Sequence, residues 1–109
     1  AIWRIKFKTI EKINSVFAKY HEVEEVIIYG SRAKGNYRNG SDIDITLKGE
    51  QLTSQILSRI SSDIDDLNTP YMFDISIFHK LHSPDFIEHI MRVGQIFYKK
   101  VDAVSWVNS

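Results

Sequence analysis

Cysteine is absent from this chain of 109 residues, so neither a disulfide bond nor a thiolate metal site can form. No apolar run approaches the roughly 20 residues that a membrane-spanning helix requires. The stretch from Ala1 to Lys8 alternates charged and apolar side chains and lacks the apolar core of a signal peptide. We therefore expect a cytoplasmic protein that neither crosses a membrane nor depends on disulfide formation.

An excess of basic charge is also missing. Lysine and arginine together number 14, as do aspartate and glutamate, so the formal net charge at pH 7 is zero. Proteins that hold nucleic acid through many phosphate contacts usually carry a basic excess. The balance of charge therefore argues against direct binding of nucleic acid.

Proline and glycine are scarce, with two prolines and five glycines, and no linker, internal repeat or low-complexity tract interrupts the chain. We predict a single domain over residues 1–109. The hydrophobic fraction of 43% suffices for a modest core, but domains of this size are marginally stable. A partner protein or a homo-oligomer is therefore expected to contribute buried surface.

Hydrophobic periodicity predicts alternating helices and strands, because apolar residues three and four apart favour helices and strict alternation favours strands. The predicted order is a helix over 8–20, a strand over 26–29 that is buried on both faces, a loop over 30–41, a strand over 42–47, a helix over 51–67, a strand over 72–78, a helix that starts at Ser83-Pro84-Asp85 and stops at Gly94, and a strand over 96–101. This order predicts an α+β fold of two layers, with helices packed on one face of a small mixed sheet and acidic residues on the open face.

Asp42 and Asp44 are two positions apart on a predicted strand, so their side chains share one face with Cα atoms about 6.6 Å apart. Two like charges at that distance repel each other, and aspartate is a poor strand former. A divalent metal such as Mg²⁺ would resolve both conflicts. The alternative is that both aspartates are solvated residues on the outer face of a half-exposed sheet. The Asp-x-Asp pattern alone favours this alternative over a metal site.

Asp74 repeats this arrangement on another predicted strand, between Phe73 and Ile75. If the two strands are neighbours, Asp74 joins Asp42 and Asp44 on one acidic face. Three carboxylates suit a phosphoryl-transfer site with two metal ions.

Gly30 directly follows the buried strand, and a polar loop with Ser31, Arg32 and Lys34 comes next. Glycine allows close backbone approach, and backbone N–H groups at such a turn can bind phosphate. Taken alone, the motif is more typical of a surface turn. Its position, directly before a strand with two aspartates, favours phosphate binding.

Together these segments resemble the signature of the nucleotidyltransferase superfamily of DNA polymerase β type. They are Tyr29-Gly30-Ser31-Arg32-Ala33-Lys34-Gly35 and Ser41-Asp42-Ile43-Asp44-Ile45. Asp74 falls where this family has its third carboxylate, and residues 90–98 are similar to its closing helix and strand. The chain is most similar to the minimal nucleotidyltransferases that serve as antitoxins beside HEPN-domain proteins.

The resemblance implies an enzyme that transfers a nucleoside monophosphate, AMP from ATP, to a hydroxyl group. Asp42, Asp44 and Asp74 would be the catalytic residues and would hold two Mg²⁺ ions, while Gly30, Ser31, Arg32 and Lys34 would bind the nucleotide. The implied acceptor is a tyrosine on a small, all-helical HEPN-type partner. The alternative is a non-catalytic antitoxin that neutralises this partner by covering it.

Other conspicuous side chains receive structural assignments. The four histidines show no metal-ligand spacing. Trp3 and Trp106 are expected to pack at the two ends of the chain, with a partner contact as the alternative. The phenylalanines expected in the core are Phe73, Phe78, Phe86 and Phe97.

Overall fold

The computed structural model of the chain describes residues 3–30 and 42–101. The helices among them are α1 (Phe7–Ala18), α2 (Ser54–Asp65) and α3 (Pro84–Val93), and the strands are β1 (Glu25–Tyr29), β2 (Ile43–Lys48), β3 (Phe73–Ile77) and β4 (Gln95–Lys99). A short 3₁₀ helix, Phe78–Lys80, follows β3. None of the described helices is long and apolar enough to span a membrane.

The strands form one four-stranded sheet in the order β3-β2-β1-β4. β1 runs antiparallel to both of its neighbours, whereas β2 and β3 are parallel. A parallel pair needs a crossover between its strands, and α2 supplies it. The predicted mixed sheet of an α+β fold is therefore confirmed.

One face of the sheet carries the main hydrophobic core. The alternating residues of β1 and β2 that point to this face are fully buried, among them Val26, Ile28 and Ile45. Phe17 of α1 and Ile60 of α2 join the same core cluster. The predicted packing of helices on one face holds for these two helices.

α3 departs from that prediction because it packs against the opposite face. The ring of Phe86 contacts Tyr29 of β1, and a Cβ atom on Gly94 would clash with Ile27. Apolar Ile27 lies on the same face as the acidic residues, which agrees with the prediction that β1 is buried on both faces. The acidic face is therefore only partly open, and Thr46 on it is fully buried.

The start of α3 follows the predicted pattern. Ser83 is the N-cap, and its hydroxyl oxygen accepts a hydrogen bond of 3.3 Å from the backbone N–H of Phe86. Pro84 opens the helix, where its missing N–H has no intrahelical partner to lose, and Asp85 lies in the first turn, where the helix dipole favours negative charge.

The aromatic residues divide between the core and the surface. Phe97 is buried and stacks on Trp3 with ring centroids 5.2 Å apart, as packing predicts. Phe73 and Phe78 are half-buried. Phe86 is 37% exposed, so its expected place in the core is wrong, because α3 turns it toward Tyr29 on the face of the sheet opposite the main core. Trp106 lies outside the described residues.

α2 begins later than its hydrophobic pattern suggests, because Thr53 caps it. The Thr53 hydroxyl oxygen accepts a hydrogen bond of 3.2 Å from the backbone N–H of Ile56. We expect Thr53→Ala to lower the free energy of unfolding by about 1 kcal/mol, since it leaves this N–H without its side-chain acceptor. Thr53→Ser retains the hydroxyl and should stay close to wild type. Urea unfolding measures both variants, and equal losses would contradict the capping role.

Candidate active site

Three strands bring one tyrosine and two aspartates into line across the sheet. Asp44 on β2 pairs with Tyr29 on β1 and with Asp74 on β3. Side chains alternate between faces, so paired residues point to the same face. Strand spacing places the Cα atoms of the two aspartates about 4.8 Å apart. β2 and β3 are therefore neighbouring strands, and Asp74 lies beside Asp44.

Asp42 lies directly before β2 and is two positions from Asp44, which places it on the same face. We call Asp42, Asp44 and Asp74 the carboxylate row. Its outer members, Asp42 and Asp74, are exposed, whereas Asp44 is half-buried between its neighbouring strands.

Burial and neighbouring charges both disfavour the ionised form of Asp44. Burial raises the pKa of the Asp44 carboxyl above its ordinary value of 3.8, and the charges of Asp74 and Asp42 raise the pKa further. A raised pKa means that the folded protein destabilises the ionised form of this group. A cation placed beside Asp44 would remove that cost.

The chemistry of the carboxylate row fits Mg²⁺, which prefers oxygen ligands. Among residues 3–30 and 42–101, no three histidine, aspartate or glutamate side chains lie together in a group that could hold a metal ion. Mg²⁺ does not require one, because it usually takes one or two carboxylates together with water and substrate phosphates. Half-buried Asp44, with a carboxylate on each side, is the natural centre of such a site.

Gly30 adjoins this row at the end of β1. Its backbone has a φ of 86°, a conformation that side chains with a Cβ atom rarely adopt. A Cβ atom at this position would also clash with Oδ2 of Asp44. The turn therefore favours glycine, and any Cβ atom at this position would displace the Asp44 carboxylate. Ser31, Arg32 and Lys34 lie outside the described residues, and their binding of phosphate stays a prediction.

Tyr29 also lies beside the carboxylate row, although the sequence motif gives it no role in binding or catalysis. Its side chain is buried, with 6% exposure, beside the row. Burial raises the pKa of its phenol, a hydrogen bond with Ser76 lowers it, and the charges of Asp74 and Asp44 raise it. In the sequence, Tyr29 stands out because its ring carries a hydroxyl group and ends an otherwise aliphatic strand, Val26-Ile27-Ile28-Tyr29.

A cleft of about 600 Å³ lies at the other end of β1 and β2, away from the carboxylate row. Its lining carries both signs of charge, and Lys48 forms an ion pair of 3.7 Å with Glu25. An open cleft lined by solvated charges of both signs offers no focus for a reaction. We therefore place the candidate active site at the carboxylate row.

The sequence pattern of the polymerase beta nucleotidyltransferases matches residues 11–103 and so includes the whole carboxylate row. The chain belongs to this nucleotidyltransferase family. Among curated proteins, a sequence search finds no significant match.

Solved structures similar to this nucleotidyltransferase include chains of toxin–antitoxin complexes. One is a complex with AMP-PNP, with 15% identity and a TM-score of 0.68, and the match covers 84% of this chain and 73% of that one. Another is the MntA–HpeT complex in a variant with two aspartates changed to glutamate, with 12% identity, a TM-score of 0.65 and the same coverage of 84% and 73%.

A third similar structure is the tri-AMPylated HEPN toxin of Shewanella oneidensis in complex with its MNT antitoxin. The identity is 13% and the TM-score 0.62, and the match covers 85% of this chain and 71% of that one. At such identities the likeness shows a shared fold.

Proposed function

We propose that this chain is an Mg²⁺-dependent nucleotidyltransferase that transfers AMP from ATP to a hydroxyl of a small, all-helical HEPN-type protein. In this proposal it acts in the cytoplasm as the antitoxin of that partner. The observation that carries the proposal is the alignment of Asp44 and Asp74 on neighbouring strands beside Gly30, in a nucleotidyltransferase fold. The similar complexes with AMP-PNP and with an AMPylated HEPN toxin support the choice of nucleotide and acceptor.

Each residue has a defined part in the proposed reaction. The backbone at Gly30, with Ser31, binds phosphate oxygens of ATP and sets the α-phosphorus beside Asp44. The acceptor oxygen then forms a bond to the α-phosphorus as the bond between that phosphorus and the oxygen bridging to the β-phosphate breaks. Pyrophosphate leaves toward Arg32 or Lys34, and Asp74 accepts the proton of the hydroxyl.

Asp42, Asp44 and Asp74 are the residues that would hold Mg²⁺, as two ions with shared ligands. When bound, the metal neutralises charge that develops on the phosphates and lowers the pKa of the attacking hydroxyl. The exposure of Asp74 at the outer strand suits its proposed part, because the acceptor of a partner protein must approach from solvent.

The deciding experiment follows labelled AMP from ATP into a co-purified helical partner, with Mg²⁺ present. Wild type is compared with Asp42→Asn, Asp74→Asn and the control Asp65→Asn, which changes an exposed aspartate on α2, in the other layer of the fold. We expect the label on a partner hydroxyl with wild type and the control, and at least a hundredfold less with the other two variants.

Absence of label with ATP, GTP, CTP and UTP, while every variant binds the partner equally, would contradict the proposal. That outcome would leave a non-catalytic antitoxin that neutralises its partner by covering it.

A further inference from the structure

β3 and β4 are the outer strands of the sheet that the described residues form, and their free edges differ. β4 shifts its register against β1 between Val26 and Ile27, and exposed Lys99 and Lys100 stand at its end. Bulges and lysines are features by which proteins keep outer strands from pairing with other chains. β3 pairs with β2 without a shift and contains no lysine, arginine or proline. The edge of β3 therefore lacks the protection that β4 has.

The backbone of β3 offers hydrogen-bonding groups to a further strand. The Met72 carbonyl accepts a hydrogen bond of 2.7 Å from the N–H of Ile43, at the start of β2. Successive residues of a strand turn their N–H and C=O groups to opposite sides, so Phe73, Ile75 and Ile77 turn theirs away from β2. No strand of the described part of the chain lies on that side. Three residues of β3 therefore have donors and acceptors available for a second strand.

The sequence of β3 is complementary to itself in the antiparallel direction. With Ile75 opposite its own copy, Phe73 meets Ile77 of the partner subunit, and Asp74 meets Ser76 of the partner subunit. Aromatic residues opposite β-branched ones are favourable pairs, and no charge faces a like charge. A register centred on Asp74 would set two carboxylates directly opposite each other, which is destabilising. A register centred on Ser76 would pair fewer residues of the strand. Side-chain chemistry therefore selects the register about Ile75.

The helix that covers β3 leaves room for a second copy. Lys80, in the 3₁₀ helix after β3, donates a hydrogen bond of 3.1 Å to the Ser54 hydroxyl, so Ser54 lies on the β3 side of α2. Spacings of four and three residues place Ser58 and Ser61 on the same side of the helix. α2 connects β2 to β3 and contacts β3, so the α2 helices of two paired copies would lie about 10 Å apart. Small side chains such as serine suit helices at that distance.

We propose that this chain forms a symmetric dimer by antiparallel pairing of its β3 strands about Ile75. The pairing joins two four-stranded sheets into one continuous sheet. Both carboxylate rows then lie on one face, with the two copies of Asp74 as diagonal neighbours about 7–8 Å apart. That face stays open to solvent, because the contact uses the edge of β3. The inference concerns assembly and does not depend on the proposed transfer of AMP.

Sedimentation of the wild-type chain over a range of concentrations tests the dimer. We expect a dissociation constant of about 10 µM, because the edge of a five-residue strand makes a small interface. Ile75→Lys should raise this constant at least tenfold, since two lysines would then face each other on the symmetry axis. The matched control is Ile96→Lys on β4, the other outer strand, and it should dimerise like wild type. Higher salt should strengthen the wild-type dimer, because it screens the repulsion between the two copies of Asp74.

Disulfide cross-linking tests the register, and it decides the question if Ile75→Lys does not fold. The chain has no cysteine, so each introduced cysteine is unique. In the proposed register the two copies of residue 75 have Cα atoms about 5.5 Å apart, within reach of a disulfide. We expect mild oxidation to link Ile75→Cys into dimers at least tenfold faster than Ile96→Cys. Phe73→Cys should also link slowly, because its own copy lies several residues away along the strand.

Three results would overturn the inference: a wild-type chain that stays monomeric at the highest concentrations, a dimer that a folded Ile75→Lys variant retains, or cross-linking of Ile96→Cys as fast as that of Ile75→Cys. Dimerisation through β3 without any transfer of AMP would reject the proposed reaction and retain the dimer. Transfer of AMP by a chain that remains monomeric would retain the reaction and reject the dimer.

Discussion

Asp44→Asn is expected to abolish AMP transfer and, at the same time, to make the folded protein more stable. The variant loses the carboxylate that has another carboxylate on each side, and a neutral amide cannot replace it as a ligand for Mg²⁺. We expect at least a thousandfold loss of kcat, because both proposed metal ions share this residue. The gain in stability follows from the electrostatics of the free protein.

The sign of that gain comes from the raised pKa of Asp44. The folded protein holds this proton more tightly than the unfolded chain, so stability is greatest below the ordinary pKa and declines as the pH rises through the folded pKa. At pH 7 the ionised group therefore costs stability. Allowing for solvent screening of a half-exposed group, we expect the Asp44→Asn variant to recover roughly 0.5 kcal/mol, or about 2–4 °C in melting temperature.

Thermal unfolding in EDTA, at pH 7 and near pH 4, measures this effect. The advantage of Asp44→Asn over wild type should shrink as the pH falls, because wild-type Asp44 then becomes protonated. Adding Mg²⁺ should raise the melting temperature of wild type and leave the variant nearly unchanged. A variant less stable than wild type in EDTA at pH 7 would show that Asp44 stabilises the fold.

Gly30→Ala should impair both folding and catalysis. The backbone φ of 86° costs a residue with a Cβ atom about 1–2 kcal/mol, and the new methyl group would clash with Oδ2 of Asp44. We expect a total loss of about 2–3 kcal/mol in the free energy of unfolding. Displacement of Asp44 should reduce AMP transfer at least a hundredfold. Urea unfolding and the AMP-transfer assay measure the two effects.

The two causes of instability at Gly30 can be separated in an Asp44→Ala background. Removing the carboxylate relieves the clash but not the backbone strain, so Gly30→Ala should cost less there than in wild type. Identical costs in the two backgrounds would mean that the methyl group does not displace Asp44, and strain alone would then explain the loss.

Local sequence patterns predict the strands of this site well, because side chains along a strand alternate between its two faces and give a period of two residues. Alternation along β2 and β3 is enough to assign Asp44 and Asp74 to the polar faces of their strands. Their meeting depends on a parallel pairing between strands that α2 separates in sequence, and no local pattern encodes such a pairing. The family resemblance, rather than periodicity, supplies the expectation that Asp74 joins the row.

The position of α3 illustrates the other limit of sequence patterns. Ser83 and Pro84 predict where the helix begins, since capping is a local interaction. They do not predict the face on which the helix packs. That choice is visible only in the apolar residue Ile27, on a face that β2 marks as polar, and in the contact of Phe86 with Tyr29.

The strand order gives the site an uneven resistance to local unfolding. Asp44 belongs to β2, which is hydrogen-bonded on both sides, whereas Asp74 belongs to β3, which among the described residues pairs only with β2. Outer strands open by smaller fluctuations than central ones, and such openings need not involve the rest of the fold. The carboxylate row can therefore be taken apart while the core between the sheet, α1 and α2 stays folded. Local opening of β3 would separate Asp74 from Asp44 while most of the protein surface keeps its folded structure.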